Sequence, residues 1–246
     1  MKLLSRSKTD PRRRTPLSER LFRRFVYKYY GRNLLIDLQL HAKRETVAYI
    51  LERMQDAMMF RDRWDLLDYA ARRAPAEGLV LEFGVENGDS LGFLAQRTSR
   101  TVHGFDSFEG LPENWSGTFE RAGKFSRGGA LPPVPPNGKL HVGWFDTVLP
   151  GFLAENPGPI ALLHVDCDIY SSTKTIFDLA GDRLRPGTVI VFDEYFNYPN
   201  WKRHEYRAFQ EFVAATGCRY EYIGFTEKNG HVAARILETG ATGASS

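Results

Sequence analysis

The sequence is poor in cysteine and contains no long apolar run. Only Cys167 and Cys218 are present among its 246 residues, which excludes a disulfide-stabilised scaffold and fits a reducing compartment. No apolar run approaches the roughly 20 residues that a membrane span requires. The start is also a poor signal peptide, because polar residues resume directly after Leu3 and Leu4. These absences predict a cytoplasmic protein without a membrane-spanning segment.

The sequence also has little net charge, but that charge is unevenly distributed. The chain carries 33 Lys and Arg against 30 Asp and Glu, a net charge of +3. Residues 1–30 hold ten basic and two acidic side chains, so residues 31–246 carry a net charge of −5. An acidic body offers no track for a phosphate backbone, which argues against a nucleic-acid partner. The basic segment leaves a peripheral membrane contact through residues 1–30 open.

Composition divides the chain into four segments. Residues 1–16 read as a basic disordered arm, and residues 239–246 as a disordered tail. Residues 17–77 are predicted to form a helical extension, because apolar residues recur there at helical spacing. These include Val47, Ile50, Leu51, Met54 and Met58. Residues 78–238 are predicted to form the main domain.

Short apolar runs alternate with helical patterns throughout the main domain. The predicted strands are 79–84, 101–106, 139–143, 160–166, 188–193, 219–225 and 231–237, and the predicted helices are 90–98, 148–155 and 172–183. Such alternation is typical of an α/β fold whose mainly parallel sheet is covered on both faces. Asn229-Gly230 between the last two runs predicts an antiparallel hairpin at the end of a doubly wound, seven-stranded sheet. The segment 108–137, rich in proline and glycine, is predicted to be a loop that acts as a lid.

A glycine-rich turn follows the first strand of this domain. In LEFGVENGDS (81–90), Gly84 and Gly88 permit a tight turn and close approach of a ligand, and Ser90 is placed to cap the next helix. The spacing is not the G-x-G-x-x-G of dinucleotide-binding proteins. Glu82 would repel a pyrophosphate but suit a cationic ligand such as S-adenosylmethionine. A tight turn without a ligand remains an alternative.

Acidic residues follow three further predicted strands. Asp106 lies about twenty residues after the turn, where an acidic side chain can bind both ribose hydroxyls. The alternative for Asp106 is a solvated residue at a strand end. Asp166 and Asp168 leave one strand, and Asp193 with Glu194 leaves another. Because neighbouring parallel strands end at the same edge, these carboxylates should converge and suit a divalent cation such as Mg²⁺ or a general base.

Other candidates have simpler structural explanations. Asp168 or Ser171 could simply be the N-cap of the following helix, with no role in a metal site. His204 is a candidate acid, base or substrate contact, with a partly exposed histidine at a helix start as its alternative. Four aromatic residues near the predicted site could form a wall for a planar or sugar acceptor, with ordinary loop packing as the alternative. They are Tyr195, Phe196, Tyr198 and Trp201.

Three strings together resemble a known family. They are GFDSFEGLP (104–112), DCDIYSST (166–173) and PGTVIVFDEY (186–195). In this order they resemble the class I S-adenosylmethionine-dependent methyltransferases, and more narrowly the macrocin O-methyltransferase group, which modifies sugars of bacterial natural products. Two positions depart from that group: Cys167 stands where glycine is common, and Glu194 where aspartate is common.

The resemblance implies a Rossmann-like fold and a role for each matching residue. The methionine part of the cofactor would lie against Glu82, Gly84, Gly88 and Ser90. Asp106 would hold the ribose, and Ser107 would help at the adenosine. Asp166 would serve as metal ligand and catalytic base, and Asp193 and Glu194 would complete the metal site.

These observations lead to one expected function and two alternatives. We expect S-adenosylmethionine-dependent O-methylation of a small-molecule or sugar hydroxyl, assisted by Mg²⁺, with Asp166 and His204 as catalytic residues. The alternatives are a nicotinamide-dependent oxidoreductase and a non-catalytic adenosine-cofactor-binding protein docked through its basic arm. A homodimer is left open.

Overall fold

A computed structural model describes residues 16–240, and the chain divides between Leu40 and His41 into two compact units. The first unit contains α1 (Leu17–Tyr29) and the start of α2 (Leu34–Arg53), which continues into the second unit. Most of the predicted disordered arm and tail, residues 1–15 and 241–246, lies outside the described residues. Among residues 16–240, no helix combines the length and the apolar composition needed to cross a membrane.

The second unit is built on an eight-stranded sheet with the order β1-β7-β8-β6-β5-β2-β3-β4. Neighbouring strands are parallel except at β8, which runs antiparallel to both β6 and β7. The strands are β1 (Met58–Phe60), β2 (Leu79–Phe83), β3 (Val102–Asp106), β4 (Gly138–Val142), β5 (Ile160–Val165), β6 (Val189–Phe192), β7 (Arg219–Thr226) and β8 (Val232–Glu238). The predicted α/β fold with a terminal antiparallel hairpin is confirmed.

Helices cover both faces of this sheet. They are α3 (Arg63–Arg73), α4 (Asp89–Ala95), α5 (Phe145–Glu155), α6 (Tyr170–Ala180) and α7 (Glu205–Thr216). Successive residues of β6 point to opposite faces, so Ile190 joins the core formed with α5, α6 and α7, whereas Val191 joins the core formed with α3 and α4. Because the central strands are apolar on both faces, they read as continuous apolar runs in the sequence. The doubly wound arrangement is therefore also confirmed.

The sheet has one strand more than predicted. The helical pattern was expected to include Met58, but α2 ends at Arg53 and Met58 pairs in parallel with Gly224 of β7. The strand forms because its backbone completes the free edge of β7, a long-range partner that local periodicity does not register. As a result β1 and α3, predicted as part of the extension 17–77, lie in the second unit with the main domain.

The segment between β3 and β4 contains no helix or strand, in agreement with the predicted loop. It is nevertheless hydrogen-bonded internally. Leu111 N–H donates to the Lys124 carbonyl (2.9 Å), and Gly123 N–H donates to the Leu111 carbonyl (2.8 Å). Leu111 and Trp115 also pack against Ile169, beyond the end of β5. The loop is therefore fastened to the edge where the central strands end.

Candidate active site

A cavity of about 650 Å³ lies at the carboxyl ends of β2, β3, β5 and β6. The loop between β3 and β4 contributes Leu111, Pro112 and Phe125 to its wall, and the start of α5 contributes Phe145. Within residues 16–240, the wall contains a single basic side chain, that of Arg63, against eight acidic ones. The acidic residues are Glu86, Asp89, Asp106, Asp146, Asp166, Asp168, Asp193 and Glu194. The cavity is therefore suited to a cationic ligand.

The turn after β2 requires glycine at its first position. Gly84 has a φ of +90°, and a Cβ atom there would lie 1.7 Å from the carbonyl oxygen of Asp166. The Gly84 N–H donates to the Phe105 carbonyl (2.9 Å), and the Asp166 N–H donates to the Phe83 carbonyl (2.8 Å). The turn thus fits tightly between the ends of β3 and β5, with its backbone at the cavity.

Asp106 fixes this turn from the end of β3. Its Oδ2 accepts hydrogen bonds from the N–H groups of Val85 (2.8 Å) and Glu86 (2.9 Å), and its Oδ1 accepts one from Phe108 (2.7 Å). The two carboxylate oxygens offer about four acceptor sites in all, so one site, on Oδ1, remains for a ribose hydroxyl. Asp106 and Ser107 both line the cavity, as their predicted roles require.

Glu82 and Gly88 do not line the cavity. Glu82 is fully buried; its Oε1 accepts from Ser90 Oγ (3.2 Å), and its Oε2 lies 3.0 Å from His164 Nδ1. Gly88 opens α4 with a φ of +79° and packs against Pro132. The predicted contact of both residues with the cofactor stays a prediction. In the structure Glu82 lies inside the sheet and holds Ser90, and Gly88 supports the start of α4.

His164 sits between two acidic side chains beneath the cavity. Burial alone would lower its pKa, but hydrogen bonds with Asp193 and Glu82 raise the pKa of His164 to about 10. Asp193 also lies 3.0 Å from His231 Nδ1 and 3.2 Å from Arg63 Nη1. Although burial opposes ionisation, these contacts hold the pKa of Asp193 below its usual range. Asp193 is thus a charged anchor for three side chains, those of His164, His231 and Arg63.

A second group of carboxylates gathers beside this anchor. Oxygens of Asp166, Asp168 and Glu194 all lie within 4.8 Å of one another. Burial and the neighbouring Asp193 charge raise the pKa of Asp168 to about 7 and that of Glu194 well above its usual value. Oε2 of Glu194 is buried and has no hydrogen-bond partner among the described residues.

This group fits a divalent cation. Its donors are all hard carboxylate oxygens, as Mg²⁺ prefers, and the unpartnered Glu194 oxygen is a further free donor. The predicted ligand set of Asp166, Asp193 and Glu194 differs from this group in one member, because Asp168 takes the place of Asp193. Asp193 is grouped with Asp166 and His164 instead, because Arg63 and His231 already hold its oxygens.

His204 lies outside the cavity. Its Nε2 is 2.8 Å from the carbonyl oxygen of Ser116 and 3.2 Å from Ser116 Oγ, so its ring fastens the loop between β3 and β4. The predicted catalytic contact of His204 therefore has no support in the geometry. The predicted aromatic wall is also core packing: Tyr195, Phe196 and Trp201 are buried, and Tyr198 packs against Trp115. Asp168 caps no helix, since α6 has Ile169 at its N-cap and no side-chain cap.

Sequence reasoning missed several residues of the site. Arg63 and Trp64, at the start of α3, reach the cavity from a segment predicted to be a separate extension, so no local signal pointed to them. Trp144 and Phe145 follow β4 at the same edge of the sheet, which is the signal that would have found them. Glu205 is fully buried beside the acidic group, where its Oε2 accepts from the Glu194 N–H (3.2 Å).

The sheet order, the antiparallel β8 and the cavity at the strand ends together define the class I methyltransferase fold. Residues 81–195 match a family described as a methyltransferase domain. This match agrees with the resemblance of the three sequence strings to the class I methyltransferases.

Similar proteins have been named from their sequence or solved as structures. A Streptomyces olivaceus protein named 8-demethyl-8-(2,3-dimethoxy-alpha-L-rhamnosyl)-tetracenomycin-C 4'-O-methyltransferase is 28% identical over 159 residues, which are 54% of this chain and 60% of that protein. The match thus spans less than two thirds of that relative. The calicheamicin methyltransferase CalS11 aligns over 95% of this chain and 99% of its own, with a TM-score of 0.55 and 22% identity. The O-methyltransferase NovP aligns over 72% and 80%, with a TM-score of 0.56 and 18% identity.

Proposed function

We propose that the protein transfers a methyl group from S-adenosylmethionine to a hydroxyl oxygen of a small-molecule acceptor. The charge of the cavity wall carries this proposal. S-adenosylmethionine presents a sulfonium and an ammonium and has no phosphate, so it suits a wall with eight acidic side chains. A nicotinamide dinucleotide would bring a pyrophosphate into the same negative field, which disfavours the oxidoreductase alternative.

The cofactor is proposed to lie along the turn after β2. Gly84 and Ser90 would border its methionine part, with Glu82 holding Ser90 from below. Asp106 would accept a hydrogen bond from one ribose hydroxyl, and Ser107 would adjoin the adenosine. This arrangement places the sulfonium towards the carboxylates that follow β5 and β6.

The residues that would hold a divalent cation are Asp166, Asp168 and Glu194. A cation bound there supplies Lewis acidity, which lowers the pKa of an acceptor hydroxyl.

The chain itself must orient the acceptor and receive its proton, because the sulfonium methyl group is already electrophilic. Asp166 and Asp168, which follow β5, both line the cavity. We assign proton transfer to this pair of carboxylates. Burial and the neighbouring Asp193 charge raise the pKa of Asp166 well above its usual value, as suits a proton acceptor. Arg63, whose Nη2 lies 3.8 Å from Asp166 Oδ2, opposes this shift. His204 takes no part, since its ring is bound to Ser116.

We assign the acceptor to the class of sugar hydroxyls. The Streptomyces relative is named for methylation of a rhamnosyl group, and the cavity wall offers both carboxylates and the apolar side chains of Leu111 and Phe125. Such a mixture of polar and apolar groups fits the two faces of a deoxysugar. The loop between β3 and β4 would exclude water from the acceptor.

The test is methyl transfer from labelled S-adenosylmethionine to a panel of rhamnosides, other sugars and catechols, with Mg²⁺ or with EDTA. We expect label in a sugar ether, with a rate that falls in EDTA and recovers when Mg²⁺ is added. Label only on nitrogen or carbon acceptors would refute O-methylation. A rate unchanged by EDTA would refute the metal assignment alone.

A further inference from the structure

Helix α1 has two chemically distinct faces. Leu17, Leu21, Phe25 and Tyr29 follow one another at intervals of four, with Phe22 and Val26 beside them. A stripe with this spacing forms one side of a helix. Arg20, Arg23 and Arg24 lie on the remaining side, and Lys28, seven residues after Leu21, lies where that side meets the stripe.

None of the side chains of α1 is buried. Leu21, Phe22 and Phe25 are 57%, 66% and 52% exposed, so the apolar stripe is open to solvent over its whole length. Large exposed apolar surfaces that are bordered by polar residues mark interaction sites. The helix is too short and too highly charged to span a bilayer.

We propose that α1 lies in the interface of an anionic membrane, with its apolar stripe among the acyl chains and its cations at the headgroups. A helix with an aromatic apolar face and a polar face rich in lysine and arginine has the composition of in-plane interfacial helices. The sequence before it adds six further cations, at Lys2, Arg6, Lys8, Arg12, Arg13 and Arg14. Each cation near an anionic surface strengthens membrane binding.

Charge complementarity favours an anionic lipid surface over a second copy of the helix or a nucleic acid as the partner of α1. Glu19 is the one acidic residue of α1, and its Oε1 already lies 2.7 Å from Arg23 Nη2. A second copy of this helix could cover the apolar stripe but would bring no charge to balance the cations. A nucleic acid could balance the cations but would leave the aliphatic residues exposed. An anionic bilayer satisfies both faces at once.

The test is sedimentation of the full chain with vesicles of phosphatidylcholine and phosphatidylglycerol in equal amounts, against vesicles of phosphatidylcholine alone. We expect binding to the anionic vesicles that weakens as salt is raised, and little binding to the neutral ones. Replacing Phe22→Ser and Phe25→Ser together should abolish binding. Replacing Arg20→Gln, Arg24→Gln and Lys28→Gln should weaken it about 100-fold, since each cation contributes roughly a fivefold factor.

Matched variants elsewhere on the surface serve as controls. Arg61→Gln, Arg219→Gln and Lys228→Gln together remove the same charge from exposed positions, and Phe119→Ser removes a phenyl ring that is 80% exposed. Both should leave vesicle binding unchanged, and the unfolding midpoint should match in all variants. Absence of binding to anionic vesicles, or equal losses in the controls, would overturn the proposal. A dimer that becomes a monomer in Phe22→Ser/Phe25→Ser without any lipid binding would assign the face to a second copy.

Discussion

Asp106 joins two parts of the site through its two carboxylate oxygens. Backbone N–H groups of Val85, Glu86 and Phe108 donate to it, so the turn after β2 and the start of the loop are held by one side chain. The position of Asp106 could be predicted, since a polar residue directly after a buried strand is visible in sequence. Arg63 and Glu205 could not, because their proximity to the acidic group comes from tertiary packing of α3 and α7.

The pair Asp166 and Asp168 allows a direct test of proton transfer. Asp168→Asn keeps the side-chain shape but removes the basic oxygen, so kcat should fall about 100-fold or more while the cofactor affinity is retained. The loss should persist at saturating Mg²⁺. Steady-state kinetics with the labelled cofactor measure the effect. Asp146→Asn, a change in the cavity wall at the start of α5, is the control, and unchanged kcat in Asp168→Asn would remove it from the mechanism.

His103 should make stability depend on pH. Burial, with the nearby His141, lowers the pKa of His103 to about 4, whereas in the unfolded chain it titrates near its ordinary value. The unfolded state therefore binds a proton first as pH falls below about 6.5, and the free energy of unfolding should drop by at most about 3 kcal/mol towards pH 4. Urea denaturation across this range measures the slope.

The variant His103→Gln should flatten this profile. His41→Gln serves as the control, because the His41 side chain is 72% exposed. Equal slopes in the wild type and His103→Gln would show that His103 is not the group responsible.

At the scale of elements, the turn between β2 and α4 is the most constrained part of the site. The central strands could be predicted to within a few residues, because burial on both faces leaves continuous apolar runs. Strand β1 could not, since three residues gain their structure only from the edge of β7. His204 illustrates the same limit: its helix start was visible, but the loop that binds its ring was not.

Two glycine replacements in this region should have opposite effects. Gly84→Ala places a Cβ atom 1.7 Å from the Asp166 carbonyl at a φ of +90°, so we expect a loss of more than about 3 kcal/mol of unfolding free energy, or failure to fold. Gly92→Ala, inside α4 with no atom within 4 Å of the added Cβ, should stabilise by about 0.5–1 kcal/mol. Denaturant titration of both variants measures these changes in the free energy of unfolding. A fully stable Gly84→Ala protein would contradict the tight fit of the turn.

At the scale of the whole molecule, basic and acidic side chains are concentrated in different parts of the chain. The net charge of +3 conceals an acidic cavity wall in the second unit and a basic segment that includes α1. The sequence could reveal the basic segment, because its residues are contiguous. The convergence of the carboxylates that follow β5 and β6 could also be predicted, because parallel strands end at one edge. The contributions of Glu86, Asp89 and Asp146 to the acidic wall were visible only in the structure.

Calorimetric titration of the intact protein with S-adenosylmethionine, S-adenosylhomocysteine and NAD tests the central claim most directly. The acidic cavity predicts one-to-one binding of S-adenosylmethionine with micromolar affinity, binding of S-adenosylhomocysteine, and none of NAD. Asp106→Ala should abolish binding, and His204→Ala, outside the cavity, should retain it. Binding of NAD alone, or no heat from either adenosyl compound with folded protein, would contradict the assignment of this cavity to S-adenosylmethionine.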